Sequence, residues 1–517
     1  MDAVMLTPNG LHANKIDRVM LLALWANTLA EEEQKSRVIF AGVGKPTYPI
    51  NVQTIRSFLG YWQKLENLAE NERFDIDNTD GEHAIDYGDP RGDKGPRELM
   101  AQTMSAWYEA DISPDNVLFT VGGIGALRIM FETLNTHYEE YPGYRIITPF
   151  PHYSAYASNE LHRLHPIHVM KEKGYHINAQ ALEDSIQEAL FLAEDDHGWP
   201  KAVLFCNPSN PLGTMIPEEE LAKIAEVLRR YPDLFIIFDE AYTEMSFVKI
   251  PSFLKIAPDL KKRIMIMRSA TKALSAAGER MAVILVFDEF VMNEMLNKNI
   301  NYFLHAPRSA QLAYAETMAH FDEKEREDLV LFYKKKVDYV LMRLKEMGAE
   351  MPDPDYQVEA TFYALGDFSD LFGLDLPAQS ARALQRTGKV NSGEELAYYL
   401  LFEDKIMIAP LSYYGLEKDC PFMRITCSAS ERDLKELMDR LEQRLFSARK
   451  RKYQSLLENI DSNLEAVRHI ELHLYETIRS KINVLSNEAE TCLSLKAKNQ
   501  SLNKIQSIIN NLLDIES

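Results

Sequence analysis

The run Ser269-Ala-Thr-Lys272-Ala-Leu-Ser-Ala-Ala-Gly278-Glu-Arg280 sets one lysine among small residues, with a hydroxyl three positions before it and an arginine eight after. Such surroundings suit an amine that reacts rather than one that solvates a surface. A desolvated lysine loses its proton readily and forms a Schiff base with an aldehyde. Ser269 and Arg280 offer what a phosphate needs beside it, a hydroxyl donor and a forked cation. An aldehyde that carries a phosphate is pyridoxal phosphate (PLP). Lysine between small residues also occurs in ordinary loops, so this run alone leaves both readings open.

On either side of the run, short β-rich stretches alternate with helical patterns. Val117–Val121, Tyr144–Thr148, Ala202–Cys206, Phe235–Phe238 and Arg263–Arg268 read as buried strands, and Glu218–Arg230 as an amphipathic helix with Leu221, Ile224, Ala225 and Leu228 on one face. This alternation predicts an α/β domain with a mostly parallel sheet, in which ligands gather at the carboxyl ends of strands. From about Ala310 the pattern turns to long helices, with further strands at Ala360–Leu365 and Ile406–Ile408, which predicts a smaller α+β domain. The last Pro is Pro421 and the last Gly is Gly415. Beyond them, Leu457, Ile460, Leu464, Val467, Leu474, Ile478, Ile482 and Leu485 form one apolar stripe, and Leu495, Leu502, Ile505, Ile509 and Leu512 another. These predict a helical hairpin or coiled coil, packed on its own protein or offered to a partner. The expected division is 1–49 as an N-terminal segment contributing to the small domain, 50–309 as the large domain, 310–447 as the small domain and 448–517 as the helical extension.

At 517 residues, 46% apolar and 26% charged, the chain has the balance of a globular protein with more than one core. A formal charge of −21 and a pI near 5.2 argue against nucleic-acid binding, which wants a basic face. Cys206, Cys420, Cys427 and Cys492 lack paired C-x-x-C spacing and read as reduced thiols. Met1-Asp-Ala-Val-Met5 lacks the basic region of a signal peptide, and the apolar stretch Val19–Trp25 is too short to span a bilayer. The expectation is a cytoplasmic protein that engages no membrane.

Four further clusters bear on the lysine. Phe205-Cys-Asn207-Pro-Ser-Asn210-Pro-Leu-Gly213 follows a strand, and its doubled Asn-Pro steps build a rigid turn that aims an amide into a cleft. Asp239-Glu-Ala-Tyr242 closes the strand Phe235–Phe238; a buried carboxylate there needs a partner, and a pyridinium nitrogen or a following helix N-terminus would serve. Gly122-Gly123-Ile124-Gly125 turns from a strand into a helix whose first amides suit a phosphate, or simply make a tight turn. Arg424, in Phe422-Met-Arg424-Ile-Thr, is either a bidentate grip for a carboxylate or a surface ion-pair residue. Gly42-Val-Gly44-Lys45-Pro is not a P-loop, because Pro46 stands where Ser or Thr must follow.

Taken together, the Asn-Pro-x-Asn-Pro turn, the Asp-x-x-Tyr step, the Ser-x-x-Lys run with its Gly-x-Arg tail and the late arginine resemble, in order, the class I/II aminotransferases of PLP fold type I (aspartate aminotransferase-like), from about Gly42 to Ser428. The resemblance implies a large domain with a mostly parallel sheet and a smaller α+β domain. It also implies that Lys272 carries the Schiff base and shuttles protons, that Asp239 partners the pyridine nitrogen, and that Asn210 and Tyr242 hold the ring hydroxyl. Ser269, Arg280 and the amides of Gly123 and Ile124 then hold the phosphate, Tyr153 stacks on the ring, and Gly44, Asn210 and Arg424 meet the substrate carboxylate. Tyr87 resembles the tyrosine that reaches the phosphate of a neighbouring subunit, which implies a homodimer. Leu212 departs from the pattern, where Thr is common. The implied reaction moves an amino group from an L-amino acid to a 2-oxo acid in ping-pong half-reactions. A lyase, decarboxylase or synthase would keep most of the same residues, and a PLP-binding scaffold could act through its C-terminal helices. Arg308 is the candidate second cation for an acidic substrate. His162, His165 and His168 could suggest a metal, but their strand-like context around Pro166 argues against one, and no metal is expected.

Overall fold

The computed structural model describes residues 17–32, 37–72, 85–136, 143–158, 162–485 and 491–516; the run Met1–Met5 lies outside them. Seven strands form one sheet in the order Val117–Val121, Met281–Val286, Ile264–Ser269, Phe235–Asp239, Pro200–Cys206, Tyr144–Pro149 and His162–Ile167. All neighbours pair parallel except Met281–Val286, which runs antiparallel to both of its own. The strands are apolar on both faces because helices cover both. Ala202, Leu204 and Ile237 enter one core with the helices Gly122–Thr136 and Glu289–Phe303. Their neighbours Val203, Phe205, Ile236 and Phe238 point the other way into a second core. This period of two, buried on each side, is what a sheet covered by helices requires.

The antiparallel strand fixes the place of the lysine. Ile264–Ser269 ends at the carboxyl edge of the sheet, the chain loops through Lys272, and Met281 re-enters the sheet beside Ser269, with Ser269 and Ala282 in register. Lys272 and Arg280 therefore both lie at that edge. The edge strand His162–Ile167 contains Pro166 and three polar residues, which an outermost strand tolerates.

A second sheet of three antiparallel strands, Ala409–Pro410, Phe422–Thr426 and Tyr363–Asp367, places Arg424 opposite Leu365. The strand expected from Ala360 starts later, because Thr361 takes a φ of 72°. Ile39–Phe40 pairs in parallel with Ile406–Met407 and ties the N-terminal segment to this region.

The described residues of the C-terminal region form three helices rather than the expected hairpin: Glu431–Ile470, Leu472–Leu485 and Cys492–Glu516. Tyr453 donates to Leu485 O (2.6 Å) and Tyr475 to Glu465 (3.2 Å), so the second helix returns along the first. Cys492 lies against Glu442 O and Asn499 against Arg449 O, an equal stagger, so the third helix runs parallel to the first. Ile460, Leu464, Val467, Ile478, Ile482, Leu502, Ile505 and Ile509 fill the interior. Arg449 is 1% exposed and fastens the bundle down: its guanidinium donates to Met347 O, Gly348 O and Cys492 O and pairs with Asp370. Among the described residues, no helix is long and apolar enough to cross a membrane, and all four cysteines are unpaired thiols.

Candidate active site

The carboxyl edge of the seven-stranded sheet opens into a cleft lined by Gly123, Ile124, Tyr153, Cys206, Asn210, Asp239, Tyr242, Met267, Ser269, Thr271, Lys272 and Arg280. Each enters from the end of a strand or the turn after it, which is how residues distant in sequence come together in an open α/β sheet. A wider groove of about 700 Å³, lined by residues such as Trp107, Val248 and Leu331, holds none of them.

Lys272 donates to Gly44 O at 2.6 Å. Burial, then the positive charges of Arg424 and Arg280, lower its amine to about 8, against the pull of Asp239. Asp239 is 3% exposed and accepts from the Tyr156 hydroxyl at 2.6 Å and from the Ala241 amide at 3.2 Å. Burial raises its proton affinity, while Tyr156, Ala241 and Lys272 oppose the rise. It does not cap the next helical turn, Thr243–Met245, whose N-cap is Tyr242. A buried carboxylate with raised proton affinity fits a cationic, proton-bearing ring nitrogen.

Asn210 is oriented from both ends. Its Oδ1 accepts from Arg424 Nη1 (2.7 Å), which leaves its Nδ2 facing the Tyr242 hydroxyl at 3.4 Å. Arg424 is buried, not a surface residue. Nη2 donates to Gly42 O (2.6 Å), Nε has no partner among the described residues, and the guanidinium lies over the rings of Tyr363 (4.2 Å) and Tyr414 (4.6 Å).

The phosphate-binding elements form a cradle. Gly122 has a φ of 69° and begins the helix Gly122–Thr136. A Cβ on Gly122 would stand 2.3 Å from Arg280 Nη2, so only glycine lets the guanidinium reach the helix N-terminus. Arg280 spends one N–H on Ala277 O (3.0 Å), and the Ser269 hydroxyl lies 2.6 Å from that of Thr271. Helix amides, two hydroxyls and a guanidinium are the donor set a phosphate needs, so these residues fit PLP.

Other residues singled out in the sequence lie outside this cleft. Tyr87 is 79% exposed, edge-on to His305, and does not line this cleft. Arg308 pairs with Asp93 at 2.7 Å, also outside it. His162 packs against Phe131 and bonds Tyr156 O (2.8 Å), and burial lowers its pKa to about 4. His165 lies near Glu188 instead, and among the described residues no three metal-ligating side chains cluster.

Three residues escaped the sequence. Tyr156 lies one 3₁₀ turn after Tyr153, so its i+3 spacing was the available signal. Thr271 sits within the lysine run itself. Tyr363, with its hydroxyl 2.8 Å from that of Tyr242, had no local signal, because the second sheet delivers it.

Residues 61–441 match the family described as aminotransferase class I and II. The Bacillus subtilis protein YugH, which carries an aminotransferase name, is 26% identical over 350 residues, 67% of this chain and 80% of that protein. A (5-formylfuran-3-yl)methyl phosphate transaminase of Methanocaldococcus jannaschii is 24% identical over 359 residues, 69% and 82% of the two chains. The crystal structure of an aspartate aminotransferase from Rhizobium meliloti superposes with a TM-score of 0.66 over 82% of this chain and 95% of that one, at 17% identity, which shows the same fold.

Proposed function

This chain belongs to the class I and II aminotransferases and is, like them, a transaminase; we propose that it holds PLP on Lys272 and moves an amino group from an L-amino acid to a 2-oxo acid. The observation that carries the reading is one cleft in which a lysine lowered to about 8 meets a buried carboxylate and a glycine-and-arginine phosphate cradle.

PLP, when bound, supplies an electron sink beside the Cα of an amino acid. The chain supplies the rest. The amides at Gly123 and Ile124, with Ser269 and Arg280, hold the phosphate. Asp239 keeps the ring nitrogen protonated, and Tyr153 closes over the ring. Arg424, with Gly44 and Asn210 around it, grips the substrate carboxylate and so orients the Cα–H bond. Near neutral pH a share of Lys272 is free amine, which would suit a group that takes a proton from Cα and returns it at the aldehyde carbon of the cofactor. Tyr87 and Ile124, 79% and 56% exposed, support a homodimer in which a second copy covers the phosphate end. The unpaired thiols support a cytoplasmic setting. The proposed division at 49, 309 and 447 gives every lining residue to the large domain, with Gly44 and Arg424 supplied by the segments outside it.

Lys272 and Arg280 are the only cations among the described lining residues, and Arg424 reaches the cleft only through its bond to Asn210. Substrate choice is therefore a matter for a panel of amino acids. Purified protein is given PLP, and amino acids are added singly. Loss of the visible PLP absorbance with release of the matching 2-oxo acid supports transamination, and Lys272→Ala should abolish turnover. Pyruvate with ammonia, or no spectral change with any amino acid, would refute it.

A further inference from the structure

Two phenols meet in the cleft. The hydroxyls of Tyr242 and Tyr363 lie 2.8 Å apart, both side chains at most 3% exposed. Tyr242 follows the seven-stranded sheet, whereas Tyr363 begins a strand of the three-stranded one. A phenol has one proton to donate and two lone pairs. One lone pair of Tyr242 faces Asn210 Nδ2, whose orientation Arg424 fixes through Oδ1. If Tyr242 spent its proton on Tyr363, nothing would remain for a ligand oxygen in the cleft. If Tyr363 donates instead, both lone pairs of Tyr242 are filled and its proton is free.

The surroundings favour the second arrangement. The Arg424 guanidinium lies over the Tyr363 ring at 4.2 Å, and a cation on the ring face strengthens the O–H as a donor. Burial raises the proton affinity of both phenols, and at Tyr363 the Arg424 charge is the main cause that opposes the rise. The backbone is built to hold Tyr363 there. Thr361 is fully buried with a φ of 72°, an outlier for a β-branched residue, and its Oγ1 accepts the Tyr363 amide (3.1 Å). The adjoining stretch is stitched to the chain after Tyr242: Thr361 N–H to Met245 O, Phe247 N–H to Glu359 O, and a bridge between Ser246 and Ala360. Strain of this kind persists only where the surroundings over-determine it, and it clusters at functional sites. Gly44 makes room for the same hydroxyl, because a Cβ there would stand 2.1 Å from Tyr363 Oη.

We propose that Tyr363 is a positioning residue for the transamination: it donates its phenolic proton to Tyr242 and so keeps the Tyr242 proton aimed at the ring oxygen of PLP. The proposal rests on the PLP site described above. Because Tyr363 also stacks on Arg424, it links the carboxylate grip to the phenol that serves the ring.

The test compares wild type, Tyr363→Phe, Tyr242→Phe and the double variant in two measurements. One is the dissociation constant of PLP from the cofactor-free protein. The other is the pH midpoint of the visible absorbance of PLP bound to it. A hydrogen bond on the ring oxygen draws off negative charge, so the neighbouring lysine-derived nitrogen holds its proton less tightly. Weakening that bond raises the midpoint. Tyr363→Phe should raise it by roughly 0.5 to 1 pH unit and weaken PLP binding about threefold to tenfold. In the Tyr242→Phe background the same change should add almost nothing. Site-specific 3-fluorotyrosine at 363 keeps the volume but is the stronger acid, and should move the midpoint the other way. An unchanged midpoint in Tyr363→Phe, or a full shift that survives in the Tyr242→Phe background, overturns the proposal alone. Wild-type protein that takes up no PLP removes the cofactor reading and this proposal with it.

Discussion

Replacing Lys272 with Met tests the electrostatics of the cofactor-free cleft. The folded amine sits at about 8 against an ordinary 10.5. At 1.36 kcal/mol per pH unit, a charged Lys272 costs the fold about 3 kcal/mol below pH 8. Met keeps the length and removes the charge, but it also removes the bond to Gly44 O, worth about 1 kcal/mol. The cofactor-free variant should therefore be more stable than wild type at pH 7, by about 2 kcal/mol. The sign reverses with pH. A lysine whose folded pKa is lowered leaves the unfolded chain binding more protons between 8 and 10.5, so wild-type stability gains on the variant across that window. Above 10.5 both states are neutral, only the lost hydrogen bond remains, and the variant becomes the weaker protein; the two curves should cross near about pH 10. Urea unfolding of both proteins without PLP at pH 7, 8, 9 and 10, read as the difference between them, measures this. A variant no more stable than wild type at pH 7, or a difference that stays flat from 8 to 10, refutes the reasoning.

Arg424→Lys keeps the charge but loses the fork that serves Asn210 and Gly42, so the KM for the amino acid should rise roughly tenfold to a hundredfold with a smaller effect on kcat, read from steady-state rates. Gly122→Ala forces a side chain into a φ of 69° and against Arg280, and titration of PLP into the cofactor-free variant should show affinity lowered about tenfold or more. Arg449→Met leaves Met347 O, Cys492 O and Asp370 without their Arg449 donor and Gly348 O with Lys496 alone, so unfolding should show a loss of about 3 to 5 kcal/mol, while turnover per folded, PLP-saturated molecule stays as in wild type.

What could be read in advance was local. Buried strands announce themselves as short apolar runs, and the motifs that follow them keep their order, so Asn210, Asp239 and Lys272 were visible as neighbours of strand ends. Strand direction is not local. Met281-Ala-Val-Ile-Leu-Val reads equally well either way, yet its antiparallel course is what brings Arg280 back beside Ser269. Contacts made by tertiary packing were equally silent: Arg424 reaches Asn210 across 214 positions, and Tyr363 reaches Tyr242 across 121. The C-terminal helices failed for another reason. No Gly or Pro marks the break at Glu471, where φ is −146° and ψ 104°, so an uninterrupted apolar period hid a turn that only the packing of the second helix against the first imposes.

The charges around the cleft do not balance. Lys272, Arg280 and Arg424 converge there with Asp239 as the one buried carboxylate in the lining. Arg424 and Arg280 both push the lysine down, and Asp239 only partly offsets them. Buried cations cost stability unless anions join them. A phosphate beside Arg280 and a carboxylate beside Arg424 are the two anions whose places the donors already define. Binding of either should relieve repulsion that the cofactor-free fold carries, and so should stabilise the protein by more the tighter it binds. Lys272 then stays reactive through its burial rather than through its cationic neighbours, since burial is the largest cause of its lowered pKa and ligand anions do not remove it.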